Sequence, residues 1–193
     1  MKKFAAFIAV GTFFSTVEEF LTVLVLKHDF ASYLFTLLIL FPVFLTLAYF
    51  SSRLPDRLVH GRRAQELTHY FVYGLAGLMI EWFLIGLSPW SDPSANPLVM
   101  FVFQLGMFCF WATVGFAPRL FANTDEWSRK TRGSILKFYL PYFLVAYLIA
   151  FLAPKEARFL AVIGLIILGY LIVNVFFLRY FLAAPARAEE TGP

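Results

Sequence analysis

The sequence has one cysteine, Cys109, and three histidines, His28, His60 and His69. A single cysteine excludes an intrachain disulfide and every paired-cysteine motif. No two of the histidines have the i, i+4 spacing that places two imidazoles on one helix face to ligate a metal or a haem. We therefore expect no metal site and no cofactor.

Charge is also scarce: 15% of the 193 residues are charged and 61% are hydrophobic, with a mean hydropathy of +0.76. This composition excludes a soluble domain. The apolar residues form six blocks of about 20 residues, the length of a helix that spans a bilayer. The alternating segments of a β-barrel are missing from the sequence. The blocks cover approximately residues 4–26, 31–50, 70–87, 98–121, 135–152 and 160–182.

The blocks predict an all-α polytopic membrane protein with six transmembrane helices in a single domain at 1–182, and a disordered cytoplasmic tail at 183–193. Lys and Arg concentrate at alternate ends of the blocks, and the opposite side has only Lys27, Lys155 and Arg158. By the positive-inside rule, both termini are cytoplasmic and the protein resides in the cell membrane. The net charge of +4 reflects this asymmetry, so we expect a lipid bilayer around the chain and no nucleic-acid partner.

Two of the blocks carry a glutamate under the same local pattern. The pattern Gly-x6-Glu-x-Phe-Leu begins at Gly11 and again at Gly74, and it places Glu18 and Glu81 inside membrane-length segments. An ionised carboxylate at the centre of a membrane helix costs about 2.5–3.5 kcal/mol by insertion scales, so such residues usually face a bundle interior or a wet cavity. The pattern therefore predicts a polar site inside the membrane.

The similarity extends to the block ends, because Phe-x-x-Arg closes the second, fourth and sixth blocks at Phe50, Phe116 and Phe176. In the third copy, Pro141 stands at the position of the glutamates. We interpret this pattern as three parallel hairpins, at about 4–54, 67–120 and 133–182, around a central polar site. Short matches of common residues also arise by chance in such a chain, and arginine is common at cytoplasmic helix ends.

Helical spacing and depth indicate which other polar residues belong to this site. At a rise of 1.5 Å per residue, Gln104 lies at a depth similar to that of Glu18 and Glu81. Glu19 flanks Glu18 on the next position of the helix. We predict a site for a proton, a cation or a polar ligand, because two carboxylates in one low-dielectric pocket should not both stay ionised. The predicted site residues are Glu18, Glu81, Gln104 and Glu19, and those of a secondary cavity lining are Ser15, Thr22, Tyr170 and Asn174.

Three functions are compatible with this pattern. The first is binding or transport of a small solute or cation, including transport coupled to protons. The second is a non-catalytic subunit or assembly factor of a larger membrane complex, with partner subunits or a second copy of the chain. In that case each glutamate is protonated and hydrogen-bonds a neighbouring helix. The third is a membrane enzyme that acts on a lipid or isoprenoid with a glutamate as general acid, which predicts an aromatic-lined cavity open sideways to lipid. We rank the enzyme last, because the sequence has no evident nucleophile–base pair, and we name no catalytic residue.

Overall fold

The fold consists of helices. It is described by a computed structural model over residues 2–91, 94 and 96–183, and no strand occurs in these ranges. Six helices are long and apolar enough to cross a membrane. We number them α1 (Lys3–Leu26), α2 (Phe30–Leu58), α3 (Arg62–Ile85), α4 (Pro97–Ala122), α5 (Glu126–Leu152) and α6 (Lys155–Ala183). The prediction of an all-α polytopic fold is confirmed.

The helices extend beyond the apolar blocks at the end predicted to face the cytoplasm. α2 continues to Leu58, α3 already begins at Arg62, and α5 begins at Glu126. Charged residues end a hydropathy block, but they do not interrupt backbone hydrogen bonding, so helical turns continue beyond the apolar segment. The predicted tail at 183–193 lies outside the described residues except for Ala183, which belongs to α6 and is helical.

Short polar segments begin three of the helices in the expected way. Asp29, Asn96 and Asp125 precede α2, α4 and α5, and each side chain accepts a hydrogen bond from a backbone N–H of the first turn. These residue types are the preferred N-caps because their oxygens satisfy amide groups that the helix leaves free. Proline follows Asn96 at the first position of α4, where its missing N–H costs nothing.

The consecutive helices pack as the hairpins α1–α2, α3–α4 and α5–α6, and α4 lies at the centre, against α1, α3 and α6. Glycines allow the closest approaches. A Cβ atom at Gly11 would overlap Leu45 of α2, and one at Gly74 would overlap Phe108 of α4. The two contacts have the same sequence separation within their hairpins. In the third hairpin, Gly169 instead faces Tyr142 and Phe143 of α5. The repeat of hairpins stays a prediction.

Polar side chains join the helix ends at the predicted cytoplasmic side. Asp125 pairs with Arg62 of α3 and accepts hydrogen bonds from the Ser128 amide (2.9 Å) and hydroxyl (2.8 Å). Partial burial by itself would raise the pKa of Asp125, but the hydrogen bonds from Ser128 and Arg62 outweigh it and lower this pKa to about 2. The start of α5 is thereby tied to the start of α3.

The approach of α3 to α4 predicts that Gly77→Ala destabilises the fold. The new methyl group would overlap the side chain of Trp111, whereas nothing lies within 4 Å of a Cβ atom at Gly164. Overpacking of this kind costs about 1–3 kcal/mol. We expect a lower thermal transition temperature in detergent for Gly77→Ala and no decrease for the control, Gly164→Ala. Equal transition temperatures for the two variants would contradict this packing.

The contacts of Asp125 predict a graded, pH-dependent loss of stability. Asp125→Asn keeps the cap and loses the charge, whereas Asp125→Ala loses both, and loss of a cap costs about 0.5–2 kcal/mol. At pH 7 we expect the wild type to be the most stable and Asp125→Ala the least, by thermal unfolding followed through tryptophan fluorescence. The pKa is lower in the folded state than its usual value of about 3.9. The advantage of the wild type over Asp125→Asn should therefore be complete above about pH 4 and disappear as the pH falls towards 2. A constant difference over this range would show that the charge contributes nothing.

Candidate functional site

Three carboxylates from two helices face one region inside the helix bundle. Glu18 of α1 lies within electrostatic range of both Glu19 and Glu81, and Glu81 of α3 is also within range of Glu19. The side chains of Glu19 and Glu81 are buried, with 8% and 5% of their surface exposed, whereas Glu18 keeps partial exposure. The structure therefore brings together three of the four residues predicted for the site. We call these three residues the carboxylate cluster.

Glu81 is held by a buried hydrogen bond from a neighbouring helix. The indole N–H of Trp111 on α4 donates a hydrogen bond of 2.9 Å to Glu81 Oε1. Trp111 is 1% exposed and packs against the rings of Phe41 and Phe44 of α2, with centroid distances of 5.4 and 4.7 Å. Because indole is only a donor, the bonded oxygen of Glu81 must be an acceptor. A proton on Glu81 is favoured on its other oxygen, because the carbonyl oxygen is the better acceptor of the two.

Glu19 has a partner that accommodates two protonation states. The hydroxyl oxygen of Thr36 on α2 lies 3.1 Å from Glu19 Oε2, 2.9 Å from the carbonyl of Tyr33 and 3.1 Å from the carbonyl of Ser32. A hydroxyl group has one proton and can also accept. Thr36 can donate to an ionised Glu19, or it can donate to a backbone carbonyl and accept the proton of a neutral Glu19.

Glu18 lies where α5 and α6 support the backbone of α1. The hydroxyl groups of Tyr139 and Tyr170 donate to the carbonyl of Phe14 at 3.0 and 2.7 Å, and that of Tyr147 donates to the carbonyl of Val17 at 3.1 Å. All three tyrosines lie within electrostatic range of Glu18. The sequence indicated Tyr170 but not Tyr139 or Tyr147. All three lie more than a hundred residues from Glu18 in the sequence, so no local pattern links them to it.

Three π-helical segments lie around the cluster. The segment Phe20–Leu26 follows Glu18 and Glu19, the segment Glu81–Ile85 begins at the third glutamate, and Thr36–Leu40 begins at the hydroxyl that faces Glu19. π-Helical turns are rare and frequently occur at functional sites. Each segment begins at, or directly after, a glutamate of the cluster or its partner Thr36, which favours a functional role for this region of the bundle.

Lys27 is within electrostatic range of all three carboxylates. Among the residues that the structure describes, no basic side chain lies within 4.0 Å of any of these carboxylates. Ion pairs that neutralise carboxylates do occur elsewhere, as between Arg119 Nε and Glu66 Oε2 at 3.6 Å. Any negative charge on the cluster is therefore left without a direct ion pair in the described part of the chain.

Gln104 does not join the cluster. Its amide accepts a hydrogen bond from the indole of Trp82 at 2.7 Å and donates to the carbonyl of Leu87 at 3.0 Å. Depth alone suggested the contact with the carboxylates, but depth does not fix the direction in which a helix face points. Gln104 therefore ties the end of α3 to the beginning of α4.

The residues predicted for a secondary cavity lining are engaged in hydrogen bonds between and within helices. Asn174 donates to the Cys109 carbonyl at 3.0 Å and accepts from the Tyr70 hydroxyl at 2.6 Å, so it joins α3, α4 and α6. Tyr170 bonds to α1 as described above. Ser15 and Thr22 donate to carbonyls of their own helix, at 2.9 and 3.0 Å.

A lateral groove of about 360 Å³ separates α2 from α3. Its walls are apolar except for Ser51 and Tyr73, and its aromatic residues are Phe44 and Tyr73. Ile80, which precedes Glu81, also lines it.

The carboxylate cluster does not have the geometry of a metal site. No group of three or more His, Cys, Asp or Glu side chains in the described ranges is arranged to hold a metal ion. The three carboxylates therefore interact electrostatically, but they are not arranged as ligands of one metal ion. No protein family, curated protein or solved structure matches this chain.

The contact between Trp111 and Glu81 predicts a spectroscopic effect of Trp111→Phe. The variant keeps an aromatic ring in the packed position but removes the donor to Glu81 Oε1. We expect the infrared carboxyl band assigned to Glu81 to shift in frequency, because a hydrogen bond to a carboxyl oxygen changes its stretching vibration. Trp82→Phe, which removes the bond to Gln104 instead, is the matched control. An unchanged Glu81 band in Trp111→Phe would contradict the bond.

Proposed function

We propose that the protein binds and releases protons at the carboxylate cluster and couples this exchange to the movement of a small solute across the membrane. The observation that carries the proposal is that Glu18, Glu19 and Glu81 interact electrostatically inside the bundle, while no basic side chain in the described part of the chain lies within 4.0 Å of them. Several negative charges in a medium of low dielectric constant repel one another strongly. Protons relieve that repulsion, and because the groups interact, the protonation of one changes the affinity of the others.

The hydrogen bonds of the cluster support proton exchange. The hydrogen bonds of the Glu19–Thr36 pair can be satisfied in both protonation states of Glu19. The Thr36 hydroxyl donates its proton to an ionised Glu19, or to the Tyr33 or Ser32 carbonyl when Glu19 is protonated. Glu18 lies within electrostatic range of both other carboxylates, so a change in its protonation acts on both of them. Glu19 bonds to α2 and Glu81 bonds to α4, so a change in charge acts on contacts between helices. Proton-linked transport requires such a connection.

Of the two alternative functions, the lipid enzyme has less support. A lipid enzyme predicts an aromatic-lined cavity, but the groove between α2 and α3 includes only two aromatic residues, and Ser51 and Tyr73 are its only polar lining residues. A subunit role predicts that the three glutamates stay protonated and serve only as hydrogen-bonding groups between helices. The contacts of Glu19 and Glu81 are compatible with this role, so protonation is the property to measure.

The proposal predicts that the three carboxyl groups titrate as an interacting set. We would record difference infrared spectra of the purified protein in nanodiscs across pH, with Glu18→Gln, Glu19→Gln and Glu81→Gln to assign the bands. Glu156→Gln, at an exposed glutamate near the beginning of α6, is the matched control. We expect the band of Glu81 to titrate, and its midpoint to move in Glu18→Gln but not in Glu156→Gln, because of these two glutamates Glu18 is the one that lies within electrostatic range of Glu81.

Transport is tested separately in proteoliposomes that contain a pH-sensitive dye. An imposed potential should drive proton flux through the wild type and the Glu156→Gln control, and Glu18→Gln or Glu81→Gln should reduce it at least about tenfold, as expected when a charged relay group is lost. Carboxyl groups that stay protonated at every pH, in variants that fold normally, would refute the proposal and favour the subunit role.

A further inference from the structure

We propose that a basic pocket between the end of α1 and the start of α6 binds a phosphate group, and that this phosphate is the headgroup of an anionic phospholipid. The pocket has a volume of about 300 Å³ and is separate from the lateral groove. We call it the basic pocket. Its lining residues are Val25, Leu26, His28, Lys155, Arg158 and Phe159.

The polar lining of the basic pocket consists of three basic side chains, His28, Lys155 and Arg158. Across the described ranges, none of them has a carboxylate within 4.0 Å. The nearby Asp29 is engaged as the cap of α2, where it accepts hydrogen bonds from the amide and hydroxyl of Ser32 at 2.9 and 2.6 Å. Glu156 in the first turn of α6 is exposed and is not part of the lining.

Arg158 has a donor that the described residues leave unused. Its Nη2 donates to the carbonyl of Ala153 at 3.1 Å, which anchors the guanidinium group, while its Nε is buried without a hydrogen-bond partner. A buried donor without a partner is costly. The planar fork of arginine matches the oxygens of a phosphate, so a phosphate in the pocket would satisfy it.

The backbone around the basic pocket also favours an anion. His28 has a left-handed conformation, with φ of 54°, which is uncommon for a residue other than glycine. This conformation lies at the turn that brings His28 to the same pocket as α6. Lys155 and Arg158 belong to the first turn of α6, a 29-residue helix, where free amide groups and the helix dipole favour negative charge.

The apolar lining distinguishes a lipid from a soluble phosphate. Val25, Leu26 and Phe159 form walls that an acyl chain could contact, at the end of helices long enough to cross a membrane. The positive-inside rule does not account for this cluster of cations, because it lies at the end of the bundle opposite to the basic-rich side. A phospholipid can interact with the basic side chains through its phosphate and with the apolar walls through its acyl chain, whereas inorganic phosphate can interact only with the basic side chains.

The test compares lipid binding by charge variants at opposite ends of the bundle. Binding of phosphatidylglycerol and of zwitterionic phosphatidylcholine to the full chain in detergent would be measured by native mass spectrometry. We expect Lys155→Gln/Arg158→Gln to weaken phosphatidylglycerol binding at least about tenfold, the effect of losing one charge-assisted hydrogen bond. The matched control is Arg129→Gln/Lys137→Gln, at exposed positions in the half of α5 predicted to face the cytoplasm. It should change phosphatidylglycerol affinity less than about twofold.

Further outcomes decide the chemistry of the ligand. An equal loss of phosphatidylglycerol affinity in the two double variants would overturn the proposal. So would an equal affinity of the wild type for the two lipids. Displacement of phosphatidylglycerol by millimolar inorganic phosphate would assign the pocket to soluble phosphate and overturn the lipid assignment. Arg158→Lys keeps the positive charge but loses the planar guanidinium group. We expect its phosphatidylglycerol affinity to lie between those of the wild type and the double variant. If the double variant does not fold, Lys155→Gln at an exposed side chain provides the same comparison.

Discussion

The enclosure of carboxylates in an apolar bundle is the constraint on which the rest of the structure depends. Hydrocarbon offers no hydrogen bonds, so each polar group needs partners within the protein. Trp111 meets this need by filling the centre of the bundle and donating to Glu81. Gly77 of α3 provides the space for that indole ring. The central position of α4 thus follows from the same contacts that bury the carboxylate cluster.

The third hairpin contributes hydroxyl groups where the first two contribute carboxylates. Tyr139 and Tyr147 of α5, together with Tyr170 of α6, donate to carbonyls of α1 in the turns just before Glu18. Pro141, which the predicted repeat aligns with Glu18 and Glu81, lies on α5 between two of these tyrosines. These bonds fix the position of α1 relative to α5 and α6. The hairpin that carries no glutamate of the carboxylate cluster thereby positions the glutamates of another.

The sequence was sufficient to predict the helices and to single out all three glutamates of the carboxylate cluster, because length, hydropathy and the cost of buried charge act locally. It could not predict that Thr36 and Trp111 would be the partners of Glu19 and Glu81, since those contacts depend on how separate helices pack. Gln104 illustrates the same limit: its depth was estimated from helical rise, but its hydrogen bonds go to Trp82 and the Leu87 carbonyl. The π-helical segments also had no evident signal in the sequence.

The electrostatics of the two proposed sites are connected through the end of α1. Lys27 acts on Glu18, Glu19 and Glu81, and the next residue, His28, lines the basic pocket. An anion bound in that pocket would add negative charge to the region whose positive potential now reaches the carboxylates. By thermodynamic linkage, occupancy of the pocket and protonation of the cluster must then influence each other equally.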